Sequence, residues 1–391
     1  MKPLAIRHPG ELRWETRLLA VVVLTLVVFG IVGVYGASSL VPLHGGRVVE
    51  YKYALVQLSG AVIGGILLIV FSRLDYDIWR RMAWPLLLVT ICLLVVTVLP
   101  GTEAIAPTRN GARRWLQLGP LSVQPSEVAR LVVVIWCAML VTKKGDQLRK
   151  FRNGILPFVV ILGAVFLLIL LEPNLSMATL ITLLGGIVVF AAGARVGHFM
   201  LLLVGGVLLA YDRIQAAPYR IARLQTYLHG GGASDAGFQI QQSIVGFGSG
   251  QFFGVGLGHG SQKMGYLPYA YSDFLFSHIG EEWGFLGVIV VVSLYATFCW
   301  LGFRIARTAQ DAFGQFLAIG LTATVGVTAF MHMAVNLGMM PTTGLTLPFM
   351  SYGRTSQVIA LASVGILLNI GRQRGRARVR RHPGPERRAE G

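Results

Sequence analysis

One acidic residue stands where a carboxylate could do chemistry. Asp273 follows a long polar stretch and directly precedes an apolar run, in the sequence KMGYLPYAYSDFLF of residues 263–276. A carboxylate at such a boundary can accept a proton from a reacting hydroxyl group and act as a general base. Aspartate is also a favoured residue at helix N-termini, where it caps free backbone N–H groups. The residue type alone leaves both roles open.

Basic residues could serve a second chemical purpose near the same boundary. Arginine carries a planar guanidinium group that suits phosphate oxygens, and lysine offers a compact positive charge. A fixed cation beside a leaving group that gains negative charge stabilises the transition state. Contacts with lipid headgroups or neighbouring loops are the alternative role. The candidates are Arg113, Arg114, Arg220, Arg223 and Lys263.

The elements that must position these residues are predicted to be membrane-spanning helices. Hydrophobic residues make up 54% of the 391 residues and charged residues only 13%, with a mean hydropathy of +0.65. Soluble domains carry about 25% charged residues. The apolar residues form blocks of roughly 20, enough to cross a bilayer as a helix. The sequence predicts an all-α polytopic membrane protein with about ten spans, near residues 17–39, 52–73, 79–100, 124–143, 153–172, 174–194, 196–213, 271–304, 313–340 and 354–371.

Lysine and arginine residues indicate the orientation of these spans. With the N-terminus inside and an even number of spans, the inner segments hold most of the 34 basic residues, as the positive-inside rule requires. Both termini are therefore predicted to be cytoplasmic. Asp273 and the candidate cations then lie on the outer side, where basic residues are disfavoured, and this favours a functional role for them.

Two segments outside the spans have distinct compositions. Residues 372–391 form a basic, predicted disordered tail, which suits the anionic inner leaflet, where each nearby Lys or Arg contributes about 1 kcal/mol. No aromatic residues or motifs accompany these arginines, so nucleic-acid binding is not predicted.

Residues 1–371 form one membrane domain, in which residues from about 212 to 270 make a large outer loop between the seventh and eighth helices. Loops of such length are usually functional.

Other patterns argue against nucleotide and metal chemistry. The glycine-rich run GFGSGQFFGVGLGHG of residues 246–260 follows no predicted strand and lacks the Lys-Ser/Thr of a phosphate-binding loop. Its glycines are expected to allow tight turns and close approach of the backbone. Cys92, Cys137 and Cys299 lie within apolar spans without metal-type spacing, and we expect them to pack in the core.

Charged residues at membrane depth occur in two groups. Glu127 and Arg130 share one helix face and are expected to pair, mainly as an architectural tie. Glu281 and Glu282 lie about 12 Å along the helix from Asp273 at 1.5 Å per residue. Ionisable groups at this depth are usually paired or functional. A buried hydrogen-bonded network and a polar relay remain alternatives here, with a histidine partner, His278 or His332.

An irregular segment lies between the last two spans. The run PTTGLTLPFMSYG of residues 341–353, which includes Ser351, has two prolines and two glycines. Irregular backbone near the bilayer is tolerated only where protein buries it or a cavity hydrates it. We expect this run to form the wall of a cavity beside Asp273.

Three separated stretches carry a family resemblance. They are NGARRWLQLGPLSVQPSEVARL (110–131), GFQIQQSIVGFGSGQFFGVGLGHGSQKMGYLPYAYSDFLFSHIGEEWGFLG (237–287) and NLGMMPTTGLTLPFMSYGRTSQ (336–357). With the helix pattern, they resemble the shape, elongation, division and sporulation family, the RodA and FtsW polymerases, over nearly the whole chain. Asn174 departs from the family's usual aspartate, so no acidic role is predicted there.

The resemblance implies a peptidoglycan glycosyltransferase of the bacterial cytoplasmic membrane. Such enzymes join the disaccharide units of lipid II into glycan strands outside the membrane and release polyprenyl diphosphate. They usually act with a class B penicillin-binding transpeptidase and other divisome or elongasome membrane proteins. The family's essential acid corresponds to Asp273. No cofactor is implied, although a divalent cation could share the charge of the diphosphate.

Three further classes of function stay open. A lipid II flippase would use the same substrate and a similar polar cavity, and a secondary transporter for small solutes would need a midplane site formed by broken helices. A non-catalytic division scaffold would only recruit the transpeptidase. Polar groups gathered at the outer surface around one acid favour surface chemistry over transport. The run TTGLTLPF (342–349) resembles the division branch of the family slightly more than the elongation branch.

Overall fold

The chain is almost entirely helical in a computed structural model that describes residues 14–39, 51–108, 111–119, 121–198 and 235–373. The only strands among these residues are the antiparallel pair β1 (Leu116–Leu118) and β2 (Leu121–Val123). Short 3₁₀ or π turns occupy Gly145–Arg149, Phe151–Ile155 and Gln262–Met264. The α-helices are α1 (Trp14–Ser38), α2 (Lys52–Arg73), α3 (Asp77–Val98), α4 (Pro125–Lys144), α5 (Leu156–Leu171), α6 (Leu175–Ala191), α7 (Asp235–Gly250), α8 (Leu275–Arg307), α9 (Ala312–Asn336) and α10 (Arg354–Gln373).

These helices confirm the prediction of an all-α polytopic membrane protein. Eight helical segments in the described part of the chain are long and apolar enough to cross a bilayer, and α6 is a shorter apolar helix. Each coincides with a predicted span within a few residues. The predicted seventh span, 196–213, lies almost entirely outside the described residues, as does nearly all of the basic tail.

Contacts between helix ends define two ends of the bundle. At one, which we call the Asp273 end, the side-chain amide of Asn336 donates to the backbone carbonyl of Asp273 at 3.0 Å. At the opposite end, the Tyr76 hydroxyl donates to the Asp311 carboxylate at 2.8 Å. The helices therefore alternate in direction, as the succession of predicted spans requires.

Helix α4 forms the centre of the bundle. Its residues Val133, Ile135, Trp136 and Cys137 are fully buried, because an apolar helix without a polar face is stable only where neighbours surround it. Cys137 therefore packs in the core as predicted. The same expectation is wrong for Cys92, which is exposed on α3, because one side of that helix lacks a protein neighbour.

The predicted outer loop contains a helix that the sequence analysis missed. Helix α7 covers Asp235–Gly250 and packs against the first turns of α8. Gly280 makes this close approach possible, because a Cβ atom there would lie 2.2 Å from the ring of Phe247. The glycine-rich run therefore begins as a packed helix. Within the run, Gly250 also allows close approach, as expected, because a Cβ atom there would lie 2.0 Å from the Gly280 carbonyl oxygen.

Helix α8 is broken at Gly284. This residue has φ +65°, a conformation that glycine adopts without steric cost. The segment after α7 supplies the missing backbone hydrogen bonds at the break. The N–H groups of Val255 and Gly256 donate to the carbonyls of Glu281 and Glu282. In return, the carbonyls of 251 and 252 accept from the N–H groups of 285 and 286.

Cysteine labelling tests the assignment of the two ends to the two sides of the membrane. Met264 is 65% exposed at the Asp273 end, and Gln147 is exposed at the opposite end. In a background without native cysteines, we expect Met264→Cys to react with an impermeant thiol reagent on intact cells. Gln147→Cys should react only after permeabilisation. Labelling of both variants from the same side would contradict the alternation of the helices.

Candidate active site

Asp273 lies in a tight turn just before α8. Its backbone N–H donates to the Tyr269 carbonyl at 3.0 Å, and its own carbonyl accepts from Asn336 of α9. Phe274 occupies the N-cap position, and its own side chain makes no cap hydrogen bond. The Asn336 side chain accepts from the Ser277 N–H in the first turn of α8 at 3.0 Å. Asp273 therefore lies one residue before the N-cap position, half-buried and held through its backbone.

The irregular run between α9 and α10 lies beside this carboxylate. A Cβ atom placed on Gly344, which has φ +68°, would be 3.8 Å from Asp273 Oδ2. The backbone of the run is tied to the bundle, since the Tyr352 N–H donates to the Tyr271 carbonyl at 3.0 Å. The Leu345 carbonyl contacts a ring nitrogen of His332 at 2.8 Å. The run thus lies beside Asp273, and the cavity that it is expected to line stays a prediction.

Ser351 belongs to the buried part of the same run. Its backbone carbonyl accepts from the side-chain amide of Gln57 at 3.0 Å, and the Gln57 side-chain oxygen accepts from the Gly353 N–H at 3.1 Å. Gln57 therefore joins α2 to the run, a role that the sequence analysis missed. The buried hydroxyl of Ser351 has no hydrogen-bond partner among the described residues.

Glu281 and Glu282 form a buried network with the segment that follows α7. Glu281 accepts hydrogen bonds from the backbone N–H groups of Ser261 and Gln262 and from the Ser261 hydroxyl. Glu282 forms an ion pair with Lys263 at 3.4 Å and lies 3.5 Å from His278 Nε2. The hydrogen-bonded network is thus present around the two glutamates. His278 lies beside it, although neither ring nitrogen of His278 has a hydrogen-bond partner among the described residues.

Lys263 is a member of this network. Its side chain is only 6% exposed, and its ammonium group also donates to the Gly258 carbonyl at 2.6 Å. Two protein acceptors thus hold the ammonium group in the interior. In this structure the lysine fastens the segment before Asp273 to α8, and its contacts are those of a structural ion pair.

Breaking the pair of Lys263 and Glu282 tests this structural role. Lys263→Met leaves the Glu282 carboxylate buried without its cation, a change that typically costs about 3–5 kcal/mol of stability. We expect a clear fall in the thermal unfolding temperature of purified protein. The double variant Lys263→Met, Glu282→Gln should recover part of the loss, because neither charge remains. Lys52→Met, at an exposed position of the same end, is the control. A Lys263→Met protein that melts with the parent would contradict the assigned role.

Arg113 and Arg114 contact protein groups at the Asp273 end. Arg113 forms an ion pair with Glu103 at 3.1 Å. Arg114 donates to the backbone carbonyls of Glu172 and Pro173, which lie in the turn between α5 and α6. These contacts are those of the alternative role, in which the arginines bind neighbouring loops. The other two candidate cations, Arg220 and Arg223, lie outside the described residues.

Glu172 is a buried acid that the sequence analysis did not select. It directly follows α5, and the hydroxyl of Thr97 donates to its carboxylate. Burial raises the pKa of this carboxyl to about 7, although the Thr97 hydrogen bond and the charge of Arg114 lower it. The sequence signal that could have identified Glu172 is a charged residue between two apolar blocks. The adjacent Asn174 caps α6 through its side chain.

The raised pKa of Glu172 predicts a pH dependence of stability. Between the ordinary value of 4.5 and about 7, the folded protein binds more protons than the unfolded chain, so stability falls as pH rises. Glu172→Gln removes this titration while keeping an acceptor for Thr97. We expect the variant to lose less thermal stability between about pH 5 and about pH 8, by up to about 3 kcal/mol.

The measurement is thermal unfolding of both proteins across this pH range. Glu103→Gln is the matched control, because Glu103 is an exposed glutamate at the same end. Parallel pH profiles for the parent and Glu172→Gln would contradict the prediction.

The predicted ion pair of Glu127 and Arg130 lies within one helix, α4. Arg130 and Glu127 form a fully buried ion pair at 2.8 Å, as their helical spacing indicates. Among the described residues, no group of three or more His, Cys, Asp or Glu side chains is arranged to hold a metal ion. The divalent cation thus stays a prediction, and this part of the chain offers no group of ligands for it.

The fold and this site define a multi-pass helical membrane protein with the half-buried Asp273 at one end of the bundle. Residues 16–376 match the family model of FtsW, RodA and SpoVE, described as cell cycle proteins. The chain belongs to this family.

Relatives in several bacteria support the assignment. The chain is 39% identical to a probable peptidoglycan glycosyltransferase FtsW of Trichlorobacter lovleyi, over 93% of this chain and 95% of the relative. It is 36% identical to the stage V sporulation protein E of Bacillus subtilis, over 91% of this chain and 96% of the relative.

Solved structures share the fold. One is a chain of a peptidoglycan synthase complex that coordinates polymerization and crosslinking, with a TM-score of 0.76 and 27% identity over 91% of this chain and 97% of that chain. Another is the rod shape determining protein RodA of Thermus thermophilus, with a TM-score of 0.67 and 25% identity over 91% of this chain and 96% of that chain.

Proposed function

We propose that this protein is a peptidoglycan glycosyltransferase that polymerises lipid II at the outer face of the bacterial cytoplasmic membrane. The observation that carries the proposal is the position of Asp273 at one end of the bundle, with its backbone held by Tyr269 and Asn336. The names of its relatives support this activity. In this proposal both termini are cytoplasmic, and the Asp273 end faces outward.

Asp273 is proposed to act as the general base. Its carboxylate accepts the proton of the acceptor sugar hydroxyl while that oxygen attacks the anomeric carbon of the donor sugar. The new glycosidic bond forms as the bond from the anomeric carbon to the diphosphate breaks, and polyprenyl diphosphate leaves. The turn that fixes the Asp273 backbone contributes to the rate by orienting the carboxylate, because misplacement of about 1 Å can cost about 100-fold.

The leaving diphosphate requires positive charge near the donor site. Arg220 and Arg223 are the proposed cations, because Lys263, Arg113 and Arg114 already have carboxylate or carbonyl acceptors within the protein. Interactions with charge that develops only in the transition state increase the rate of the chemical step. Interactions that stabilise the ground state equally do not. The diphosphate is already an activated leaving group, so the reaction needs no energy cofactor. A divalent cation could share this role.

A transpeptidase is the proposed partner. One solved structure of the same fold comes from a complex that coordinates polymerization and crosslinking. We propose that this protein likewise acts with a class B penicillin-binding protein, together with other divisome or elongasome membrane proteins. Both the division branch and the elongation branch of the family are compatible with this partner.

Replacement of Asp273 tests the proposal against the flippase and scaffold alternatives. Asp273→Asn preserves the shape of the side chain, but an amide cannot accept a proton at neutral pH. General-base catalysis typically contributes 10²–10⁴-fold, so polymerisation of lipid II should fall to near background. Asp273→Glu retains the carboxylate at a displaced position, and we expect partial or no activity. The measurement is glycan length and yield from purified, equally stable variants.

Asp146→Asn is the control for this experiment. Asp146 is an exposed acid at the opposite end, and its replacement should leave polymerisation unchanged. Substantial glycan synthesis by a well-folded Asp273→Asn protein would overturn the role of Asp273 as base. A parent protein that moves lipid II across the membrane without polymerising it would instead favour the flippase.

A further inference from the structure

Four tyrosines surround the turn that holds Asp273. The ring centroids of Tyr53 and Tyr271 are 4.5 Å apart, and the Tyr352 ring lies 5.2 Å from the first and 5.5 Å from the second. The ring of Tyr269 is 6.5 Å from that of Tyr271. These distances are typical of interacting aromatic pairs. The cluster joins α2, the Asp273 turn and the run before α10.

Tyr269 is the outermost of the four. Its side chain is 49% exposed, whereas the other three are partly buried. Its backbone has φ +59°, a conformation that is an outlier for a bulky residue. The same residue accepts hydrogen bonds from the N–H groups of Ser272 and Asp273. An aromatic side chain is thus kept at a position whose backbone favours glycine or asparagine, one turn from the acid.

A half-exposed tyrosine ring at this position has a chemistry that fits a sugar. An aromatic face carries partial negative charge and can pack against the C–H groups of a pyranose ring. Binding sites for small molecules are typically lined by aromatic side chains with a few polar groups, and the phenolic hydroxyl can donate to or accept from a sugar hydroxyl. A neutral ring offers no comparable attraction to a diphosphate.

We propose that Tyr269, supported by the cluster of Tyr53, Tyr271 and Tyr352, forms a saccharide-binding subsite that stacks on a pyranose ring of the substrate beside Asp273. The inference rests on the proposed function, because it takes the lipid-linked sugar as the ligand. The alternative is that Tyr269 anchors the turn at the membrane interface, where tyrosine is enriched. The two roles predict different results when the ring is removed. Only a saccharide subsite makes the loss of binding depend on the presence of the sugar in the ligand.

Binding measurements without turnover separate these roles. The full chain carrying Asp273→Asn is placed in lipid nanodiscs and titrated with lipid II and with polyprenyl diphosphate, which lacks the sugars. We expect Tyr269→Leu to weaken lipid II binding about tenfold, equivalent to about 1.4 kcal/mol, and polyprenyl diphosphate binding less than about twofold. Tyr269→Phe and Tyr269→Trp should retain lipid II binding, because they keep an aromatic face.

Two further variants make the experiment decisive. Tyr269→Asn also removes the ring, and asparagine tolerates positive φ, so it replaces the leucine variant if that protein fails to fold. Tyr35→Leu is the matched control, because Tyr35 is 47% exposed and lies near the C-terminus of α1, at the Asp273 end. Equal weakening of both ligands, unchanged lipid II binding in both ring-less variants, or a phenylalanine variant as weak as leucine would overturn the subsite.

The experiments distinguish failure of the subsite from failure of the proposed catalysis. A parent protein that makes no glycan from lipid II would refute the proposed polymerase. Sugar-dependent binding through Tyr269 would still stand in that case, because the binding assay uses no turnover. Conversely, an active polymerase whose ring-less variants bind lipid II normally would refute only the subsite.

Discussion

The organisation of the Asp273 end depends on one constraint, that backbone polar groups at membrane depth must find partners within the protein. Helix α8 breaks at Gly284, and four backbone groups around the break have no partner within the helix. The segment after α7 supplies all four hydrogen bonds. A helix break and an irregular segment, each unfavourable in lipid by itself, therefore stabilise each other. The polar segment is held against the spanning helix as a consequence.

Buried charge strengthens the same junction. Glu281 accepts hydrogen bonds from backbone N–H groups of the segment, and Glu282 pairs with Lys263. Removing one member of a buried pair is costly because the other charge is left uncompensated. The side chains thus restrict the segment to one register on α8, in addition to the backbone contacts. This is why Lys263, a candidate for binding a phosphate, has a structural role here.

Catalysis by Asp273, as proposed, relies on this support of the segment that precedes it. Asp273 lies between the fastened segment and the first turn of α8, and Asn336 of α9 holds its carbonyl. The run before α10 approaches the carboxylate through Gly344. Elements distant in the sequence thus meet at one carboxylate. In the proposed mechanism this arrangement orients Asp273 as a general base, and the neighbouring surface around Tyr269 is the proposed saccharide subsite.

The sequence by itself determined the class of fold and singled out Asp273 as a candidate acid. Bilayer-length apolar blocks leave a helix as the way to satisfy the backbone, whereas the family resemblance, and not the local pattern, favoured a catalytic role for Asp273 over a helix cap. Tertiary structure alone decided the partners of the charged residues. Glu281, Glu282 and Lys263 are identifiable as polar residues, but their pairing depends on how α7 and the following segment pack on α8. Local patterns specify helices, whereas contacts between distant segments arise from packing, which no short sequence window records.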